Sequence, residues 1–570
     1  MSRGRHVVIV GSGAGGSAAA WELVRRGFHV TILEKGRNLL PGLGTKAGPR
    51  TRFGNDEVKA RRAYENPDEL LEPRTSRTQD EAAQGVDRSF VGDVNGLPTT
   101  VGGGTIHWDA KTPRFWRQDF KALSTHGPVP NANVADWPLT YEELAPFYDE
   151  VEHHIGCQGD IHQIPKEVLA QAPRDKQFPL PPNVPMYAGE LLAEGARQQG
   201  LHPYPVSMAV HTKPWGGIGE ACNNCGFCSG FGCPINARGG AISFLHHALL
   251  RGARLKTRCF VYRVRVDRSG RRATGVDYLD RHGRRRHLSA DLVILAPSAI
   301  ETARLLLLSG LAKHSGQLGR NLMFHNFTAA IAQFGEDVHA WRGPSTTVTI
   351  DDFCFPEKGA AAQAAGLPYL KGGICETGGT LFMFDEMDLY AAPPNSWGVA
   401  HKNLMRASPL RKHMAGLSMV GEDLPQLANG VDLDPKIRDV YGFPVARITY
   451  SLHQHEVAAS NYFGPKLAAA CAAAPGALNG AWIPLGQLAS GGGPIGSLAT
   501  GAATTAHIMG TARMGHDPKT SVCDAHGRVH GLSNLYLGDG SVFVTAGGFN
   551  PTLTIMSLSL RMARHAARSH

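Results

Sequence analysis

The chain is 570 residues long, with 42% hydrophobic and 19% charged residues, so it can form one or two discontinuous domains around a large core. Its net charge of +9 comes from scattered basic residues. The densest basic run, at 281–286, is predicted to be a solvated hairpin tip, which disfavours nucleic-acid binding. Only five residues precede the first predicted strand, and no apolar run reaches transmembrane length. We therefore expect neither a signal peptide nor a membrane span.

The first 36 residues predict a dinucleotide-binding unit. The run HVVIV at 6–10 indicates a buried strand, and it leads through a glycine-rich loop at 11–16 into an alanine-rich helix. A second strand, at 29–33, ends at Glu34. The glycines permit a tight turn and close approach to a pyrophosphate, and an acid at this distance accepts from a ribose hydroxyl. The motif alone does not separate FAD from NAD.

Residues 41–90 are polar and rich in Pro, Gly and mixed charge, which predicts a surface excursion that serves as a lid over the cofactor. The triple glycine at 102–104 again permits a close approach of backbone to ligand. His107 follows it. Three roles are open for this histidine: a core residue, a hydrogen-bonding group or a covalent anchor for a flavin ring. We expect a flavin that is not covalently bound. Thr140 and Glu143 form a predicted capping box at the start of a helix.

Four cysteines crowd together with the spacing C-x2-C-x2-C-x4-C-P, whereas the other six are scattered, so the chain has no disulfide framework. Ferredoxin boxes read C-x2-C-x2-C-x3-C-P, one residue shorter. Zinc is less attractive, because so short a loop leaves no room for two separated knuckles. An iron–sulphur cluster and a metal-free thiol cluster both stay open. The candidate ligands are Cys222, Cys225, Cys228 and Cys233.

Strand-like stretches at 254–267, 273–280 and 291–298 return to the nucleotide-binding sheet, and a helix is predicted at 299–308. From 324 to about 500 the chain alternates Pro, Gly and aromatic residues with strands, which indicates a second, substrate-covering domain. A glycine-rich linker is predicted at 489–497.

The last stretch combines a strand at 534–537, a tight turn at 538–541 and a long apolar helix. Asn550 is predicted to cap this helix, with Pro551 in its first turn. The positive helix N-terminus suits an electron-rich partner such as a reduced flavin. His507 lies shortly upstream. By themselves, these features also fit a capped core helix and a core histidine.

Several stretches together resemble the glucose–methanol–choline (GMC) flavoprotein oxidoreductases, in order and over nearly the whole chain. They are the N-terminal pattern, VGGGTIHW, DWPLTYEELAPFYDEVE, DLVILAPSAIETARLLLLSG, HIMGTARMG and GGFNPTLTI. CNNCGFCSGFGC and GRNLMFHN are most similar to the flavin subunits of gluconate 2-dehydrogenase, fructose dehydrogenase, FAD glucose dehydrogenase and glucoside 3-dehydrogenase. GGGTIHWDAKTPRF resembles pyranose 2-oxidase, which links FAD to its histidine. Where the family has a small Ala-Gly pair, this chain has Ala296-Pro297-Ser298.

The resemblance implies an α/β fold (α+β overall), with a Rossmann-like FAD-binding domain interrupted by a substrate domain with an antiparallel sheet and helices. We expect the FAD-binding domain at 1–125, 205–323 and 501–570, with the cysteine-rich box at 222–233, and the substrate domain at 126–204 and 324–500. The implied cofactor-binding residues are Gly11, Gly13, Ala14, Gly15, Gly16, Glu34, Lys35, Gly103, Gly104, Thr105, His107, Trp108, Val261, Ala296, Gly538, Asp539, Gly540, Asn550, Pro551 and Thr552.

The resemblance also implies a catalytic pair, His507 as the base and Asn550 as the group that orients the substrate hydroxyl. The expected enzyme is a FAD-dependent dehydrogenase that oxidises a CH–OH group of a sugar, glycoside or sugar acid to a ketone or lactone, by hydride transfer to flavin N5. Electrons then pass through an iron–sulphur cluster to cytochrome c or a quinone.

The alternative is an oxygen-using pyranose or glycoside oxidase that makes hydrogen peroxide. A non-catalytic flavin-binding or electron-transfer subunit is disfavoured by the catalytic pair. We expect a cytoplasmic protein, or a periplasmic one exported together with a small export or chaperone subunit that carries the signal.

Overall fold

The computed structural model describes residues 5–50, 73–92, 98–228, 232–378, 397–482, 484–485 and 505–570. The predicted linker at 489–497 lies outside these residues, as do 51–72 of the predicted lid and 229–231 of the cysteine-rich box.

The strands are short, and most are paired with strands far away in sequence. In chain order they are β1 (His6–Val10), β2 (His29–Leu33), β3 (Arg74–Arg77), β4 (Phe90–Gly92), β5 (Tyr204–Pro205), β6 (Arg254–Lys256), β7 (Phe260–Val266), β8 (Ala273–Leu279), β9 (Arg285–Ser289), β10 (Leu292–Leu295), β11 (Arg320–Met323), β12 (Asn326–Gln333), β13 (Val348–Ile350), β14 (Cys375–Gly378), β15 (Met414–Gly421), β16 (Gly430–Arg438), β17 (Pro444–Thr449), β18 (Ala481–Trp482), β19 (Met509–Thr511) and β20 (Leu535–Leu537).

The α-helices are α1 (Ala14–Arg25), α2 (Gln79–Ala83), α3 (Arg117–Phe120), α4 (Ala122–His126), α5 (Tyr141–Ile155), α6 (Lys166–Gln171), α7 (Tyr187–Gln198), α8 (Ala241–Leu250), α9 (Ala299–Ser309), α10 (Ala360–Ala364), α11 (Gly398–Ala407), α12 (Pro409–His413), α13 (Gln454–Ala472) and α14 (Thr552–Ser569). Short 3-10 turns cover Gly103–Ile106, Ile161–Gln163, Asp352–Cys354 and Gly540–Val542. Among these described helices, none is both long and apolar enough to cross a bilayer.

A five-stranded sheet in the order β20-β10-β1-β2-β6 carries the nucleotide-binding motif, and every pair in it is parallel. Its central strands are runs of buried aliphatic side chains, as expected of a sheet covered on both faces. Helix α1 packs against α8 and α14. The predicted Rossmann-like arrangement is confirmed, and chain segments from both ends of the sequence build it.

A second sheet is antiparallel, in the order β18-β12-β15-β14-β13-β5. Strands β12 and β15 pair without interruption, from Asn326 opposite Gly421 to Gln333 opposite Met414. Alternate residues of β12 are buried, because helix α13 covers one face of the sheet. The predicted antiparallel sheet of the substrate region is confirmed, whereas the exact domain boundaries stay predictions.

A third sheet, in the order β19-β11-β16-β17-β3-β4, holds two segments that the sequence did not predict as strands. The prediction of a surface excursion at 41–90 is wrong for β3, which is a largely buried strand, whereas α2 has no buried residue and β4 is at most half-buried. Polar composition concealed β3, whose polar side chains are paired: Arg74 with Glu301 at 3.0 Å, and Thr75 with Asp434 at 2.8 Å. A three-stranded sheet, β7-β8-β9, completes the structure, and its β8–β9 turn is the predicted basic hairpin tip.

Two predicted helix starts have different outcomes. The capping box of α5 is confirmed: Thr140 Oγ1 accepts from the Glu143 amide at 3.3 Å, and the Thr140 amide donates to the Glu143 carboxylate at 2.8 Å. The predicted Asn550 cap of α14 is wrong. The helix begins at Thr552 with Pro551 as its cap residue, and no side chain caps it. Asn550 instead directs its side chain towards Glu376.

Candidate active site

One cavity of about 600 Å³ lies at the carboxyl ends of the parallel strands. Residues from both ends of the chain and from its middle line this cavity. Parallel α/β sheets bind their ligands at the carboxyl ends of their strands. The cavity brings together the predicted catalytic pair, His507 and Asn550, with the predicted cofactor residues. Of the predicted cofactor residues, Gly16 and Gly538 alone do not line the cavity.

The glycine loops form a cradle with bare backbone on both sides. Gly11 has φ +92°, and a Cβ there would overlap the carbonyl oxygen of Ala296. A Cβ at Gly103 would lie 3.1 Å from Cα of Gly13, so side chains would fill the space between the two loops. The N-terminus of α1 has no side-chain cap, which leaves its amides to donate to an anion. This geometry fits a pyrophosphate.

Gly15 serves packing as well as binding. A Cβ at Gly15 would overlap the carbonyl oxygen of Gly538, where β20 turns away from the sheet. At Gly16 it would overlap the carbonyl oxygen of Gly11. A Cβ at Gly538 would lie 2.8 Å from Cε of Met562 in α14, so the two predicted residues that do not line the cavity, Gly16 and Gly538, serve close packing.

Glu34 holds the end of β2 at the cavity. Its carboxylate accepts from the Ser12 amide at 2.9 Å, from the Ser12 hydroxyl at 2.6 Å and from the Gly36 amide at 2.8 Å. The residue is 8% exposed and lines the cavity. A carboxylate offers about four acceptor sites, so one is left for a ribose hydroxyl. Next to it, burial lowers the pKa of Lys35 to about 8, although the Glu301 carboxylate opposes the shift.

The turn after β10 departs from the family pattern in sequence but keeps a special backbone conformation. Ser298 has φ +110°, a region that favours glycine. Its amide donates to Asp539 at 3.1 Å, and the Thr302 hydroxyl donates to the same carboxylate oxygen at 2.6 Å. Asp539 therefore holds this turn in place, and Ala296 lines the cavity as predicted.

The cysteine-rich box is fastened to the cavity wall through Arg238. The guanidinium of Arg238 donates to the carbonyl oxygens of Trp108 and Cys228, and to that of Ile106 at 2.9 Å. Trp108 and the neighbouring His107 line the cavity. The box therefore lies directly behind the wall that the sequence predicts to face a flavin.

The thiols of the box do not assemble into a metal site. In the described ranges, no three His, Cys, Asp or Glu side chains are grouped so that they could hold a metal ion. The sulphur of Cys222 accepts from the Asn224 amide at 3.4 Å, and that of Cys233 from the Ala237 amide at 3.2 Å. The predicted iron–sulphur ligand set is thus not supported by the arrangement of the described side chains.

His507 and Asn550 reach the cavity from separate elements. His507 precedes β19, and burial lowers the pKa of its imidazole to about 4, an effect that the Lys111 charge increases and the Asp109 charge opposes. The ring is therefore neutral at pH 7 and able to accept a proton. Asn550 is 6% exposed, and its carbonyl Oδ1 has no hydrogen-bond partner among the described residues.

A second histidine, which sequence reasoning did not assign to the site, contacts the first. Nδ1 of His325 lies 3.0 Å from Nδ1 of His507. His325 belongs to the GRNLMFHN stretch, whose resemblance to sugar dehydrogenases was the only signal that could have drawn attention to it.

An ion-pair network also escaped prediction. Lys111 Nζ lies 2.6 Å from Glu376 and 3.2 Å from Asp109. Burial alone would lower the pKa of Lys111, but the two carboxylates outweigh it and raise that pKa. Burial raises the pKa of Glu376, and Lys111 opposes the shift. Since Lys111 and Asp109 line the cavity, this network gives its wall fixed polar groups beside the catalytic pair.

The fold is shared with solved flavoenzyme structures. Formate oxidase superposes over 100% of this chain and 99% of its own, with a TM-score of 0.64 and 15% sequence identity. At that identity the likeness concerns the fold alone.

Two curated relatives match almost end to end. A 2-methyl-1,2-propanediol dehydrogenase of Mycolicibacterium austroafricanum is 28% identical, over 99% of this chain and 95% of the relative. A gluconate 2-dehydrogenase flavoprotein of Pantoea cypripedii is 27% identical, over 98% of this chain and 92% of the relative.

Family models give the most direct assignment. A model described as NAD(P)-binding Rossmann-like domain matches residues 9–53, which include the glycine loop and Glu34. Two models described as GMC oxidoreductase match 132–327 and 425–559, and so include His325, His507 and Asn550. The predicted family is confirmed, with FAD as its cofactor, and the chain belongs to the GMC oxidoreductase family.

Proposed function

We propose that this protein is a FAD-dependent dehydrogenase that oxidises a CH–OH group of a sugar, glycoside or sugar acid to a ketone or lactone. The observation that carries the proposal is the shared cavity: a neutral His507 and an Asn550 whose Oδ1 has no partner among the described residues line the same space as the glycine cradle at 11–15. Relatives named for a diol and for gluconate support polyhydroxylated substrates.

Side chains of the protein accept the substrate's proton and orient the substrate. His507 accepts the hydroxyl proton as the carbinol carbon loses its hydride, so that the C–O bond becomes C=O. The amide of Asn550 binds the same hydroxyl and aims it. Bound FAD supplies the acceptor for the hydride. The N-terminus of α14 directs its positive end at the cavity, where it stabilises negative charge.

The decisive experiment is anaerobic bleaching of the flavin by a panel of sugars, glycosides, sugar acids and simple alcohols. We expect bleaching by at least one polyhydroxylated substrate without any added enzyme. His507→Ala should bleach more slowly by roughly 10²–10⁴, the usual contribution of a positioned base. A His507→Ala protein that bleaches at the parent rate would place the base elsewhere. A protein that binds NAD and is colourless would refute the proposal altogether.

The electron acceptor that we propose is cytochrome c or a quinone, reached through the cysteine-rich box. The thiol spacing supports an iron–sulphur cluster at Cys222, Cys225, Cys228 and Cys233, and so does the Arg238 link to the cavity wall. The side chains of the described residues do not support it, because no three of them are grouped as metal ligands. Iron and sulphide analysis, together with a visible spectrum, decides between an iron–sulphur cluster and metal-free thiols. A broad absorption shoulder indicates a cluster, and a clean flavin spectrum refutes it.

An oxygen-using pyranose or glycoside oxidase is the second candidate, favoured by the unassembled thiols and by the pyranose-oxidase-like stretch around His107. Hydrogen peroxide formed in air at the rate of flavin reduction would select the oxidase.

We propose that FAD is non-covalent. Acid precipitation should leave the yellow colour in the supernatant, and a yellow pellet would contradict this.

We further propose that the protein stays in the cytoplasm, or leaves it with a small signal-bearing subunit. Its relative from Pantoea cypripedii is named as the flavoprotein of its enzyme. Expression of this chain alone, followed by fractionation, tests the proposal, because efficient secretion without a partner would contradict it.

A further inference from the structure

We propose that His325 is a positioning residue, which fixes the proton of His507 on Nδ1 and leaves Nε2 bare. The role of that bare nitrogen as a base rests on the proposed function. The protonation pattern does not, because it follows from contacts within the chain.

The pattern begins at a backbone carbonyl. Nε2 of His325 lies 3.2 Å from the carbonyl oxygen of Ala546, which only accepts hydrogen bonds, so Nε2 carries a proton. His325 is fully buried, and burial holds its pKa well below the ordinary value; a proton on His507 would lower it further. His325 is therefore neutral, and its Nδ1 is an acceptor.

The acceptor nitrogen of His325 determines the state of its neighbour. Nδ1 of His507 lies 3.0 Å from Nδ1 of His325, so it must donate. Since His507 is also neutral at pH 7, its Nε2 has no proton. Within the described residues this Nε2 has no hydrogen-bond partner, and the ring lines the cavity. The lone pair of Nε2 is therefore available to a ligand in the cavity.

The carbonyl at the start of this chain of hydrogen bonds is held rigidly. Thr545 accepts from Trp137 Nε1 at 2.7 Å and donates to the carbonyl oxygen of Asp119 at 3.1 Å. The next carbonyl oxygen, that of Gly547, accepts from Lys371 at 2.9 Å. Contacts on either side of Ala546 thus fix the direction of its carbonyl group.

Strand register brings the two histidines together. Strands β11 and β19 are antiparallel, with Met323 opposite Met509. Continuing that register by two residues, beyond β11 and before β19, puts His325 opposite His507. The hydroxyl oxygen of Thr505 accepts from both of their backbone amides at 3.3 Å. The backbone register therefore brings the two histidines together, and the Thr505 side chain holds both of their amides.

The first test reads the proton directly and needs no substrate. In holoenzyme labelled with 15N in the histidine rings, His507 is assigned as the signal missing from His507→Ala. We expect Nδ1 protonated and Nε2 bare in the parent protein, and the proton on Nε2 in His325→Leu. A parent protein with its proton on Nε2 overturns the proposal, and so does a His325→Leu protein with the parent pattern.

A matched variant separates tautomer control from packing. His325→Asn keeps an acceptor near the place of Nδ1, whereas His325→Leu keeps the volume and loses the acceptor. His325→Leu should reduce its flavin roughly 10²–10⁴ times more slowly, with unchanged substrate Kd, as when a base has the wrong tautomer. His325→Asn should recover at least tenfold of that loss.

Equal rates for the two variants, at equal FAD content, would overturn the positioning role. If His325→Leu does not fold, the parent spectrum and the Asn variant still decide. If no substrate bleaches the parent protein, the proposed function fails, while the ring-nitrogen spectrum still tests this inference.

Discussion

Acidification should leave flavin reduction unaffected until well below the pH at which an ordinary histidine becomes protonated. Burial lowers the pKa of His507 from the ordinary 6.5 to about 4, and the neighbouring Lys111 charge adds to the shift. A base works only when it is neutral, so the rate should be constant at neutral pH and half-maximal near pH 4.

The size of the effect follows from the two pKa values. At pH 5.5 about 97% of His507 is neutral with a pKa near 4, against about 9% with a pKa of 6.5, roughly a tenfold difference in rate. The free energy of unfolding should depend on pH for the same reason. The folded pKa lies below the unfolded one, so the unfolded state takes up the proton first. This residue should cost roughly 2–3 kcal/mol of stability as the pH falls from 6.5 to 4.

The fall in rate on the acid side, here called the acid limb, is measured by rapid mixing under anaerobic conditions across pH 4–8. The quantity to plot is the flavin-reduction rate divided by the substrate Kd, because this ratio reports the pKa of the free enzyme. Flavin circular dichroism at each pH controls for cofactor loss. His507→Ala should lack the limb altogether. Half-maximal activity between pH 6 and 7 in the parent protein would refute the claim that burial sets the pKa of this base.

Three further variants test the site at other points. Asn550→Ala should slow reduction but leave the acid limb in place, because orientation is lost and proton acceptance is not; a shifted limb would contradict this. Glu34→Ala should weaken FAD binding at least tenfold, since three protein donors and a ribose hydroxyl lose their acceptor; unchanged FAD titration would refute the assignment. Gly15→Ala should destabilise the fold by roughly 3 kcal/mol or more through its overlap with Gly538, whereas Gly335→Ala, which meets open space, should stay within about 1 kcal/mol in urea unfolding. Similar losses for the two would refute the steric argument.

The elements that sequence predicted well are those encoded locally. The strand, glycine loop, helix and acid at 6–34 follow one another along the chain, so periodicity and spacing suffice to predict them. The capping box at Thr140 is equally local. The family resemblance then drew attention to His507 and Asn550, which the structure brings into one cavity.

The features that the sequence did not predict depend on pairing between residues far apart in the chain. His325 acquires its place only through the register of β11 with β19, and Lys111 through an ion pair with Glu376, 265 positions away. The same reason explains the failed lid: β3 is polar, and only its partners in the third sheet make it a buried strand. Helix α14 starts after Asn550, because that side chain faces the cavity and does not turn back to the helix.

The contact between α1 and α14 has a consequence for biogenesis. The Ser559 hydroxyl of α14 donates to the carbonyl oxygen of Gly15 in α1 at 2.7 Å, and the alanine-rich face of α1 is buried in the finished fold. The ribosome releases α1 more than 500 residues before α14. At about 5–20 residues per second, that apolar face waits roughly half a minute to two minutes for its cover. The nascent chain thus exposes this apolar face for that time, and the cofactor can bind only after α14 has emerged, because α14 forms one wall of the cavity.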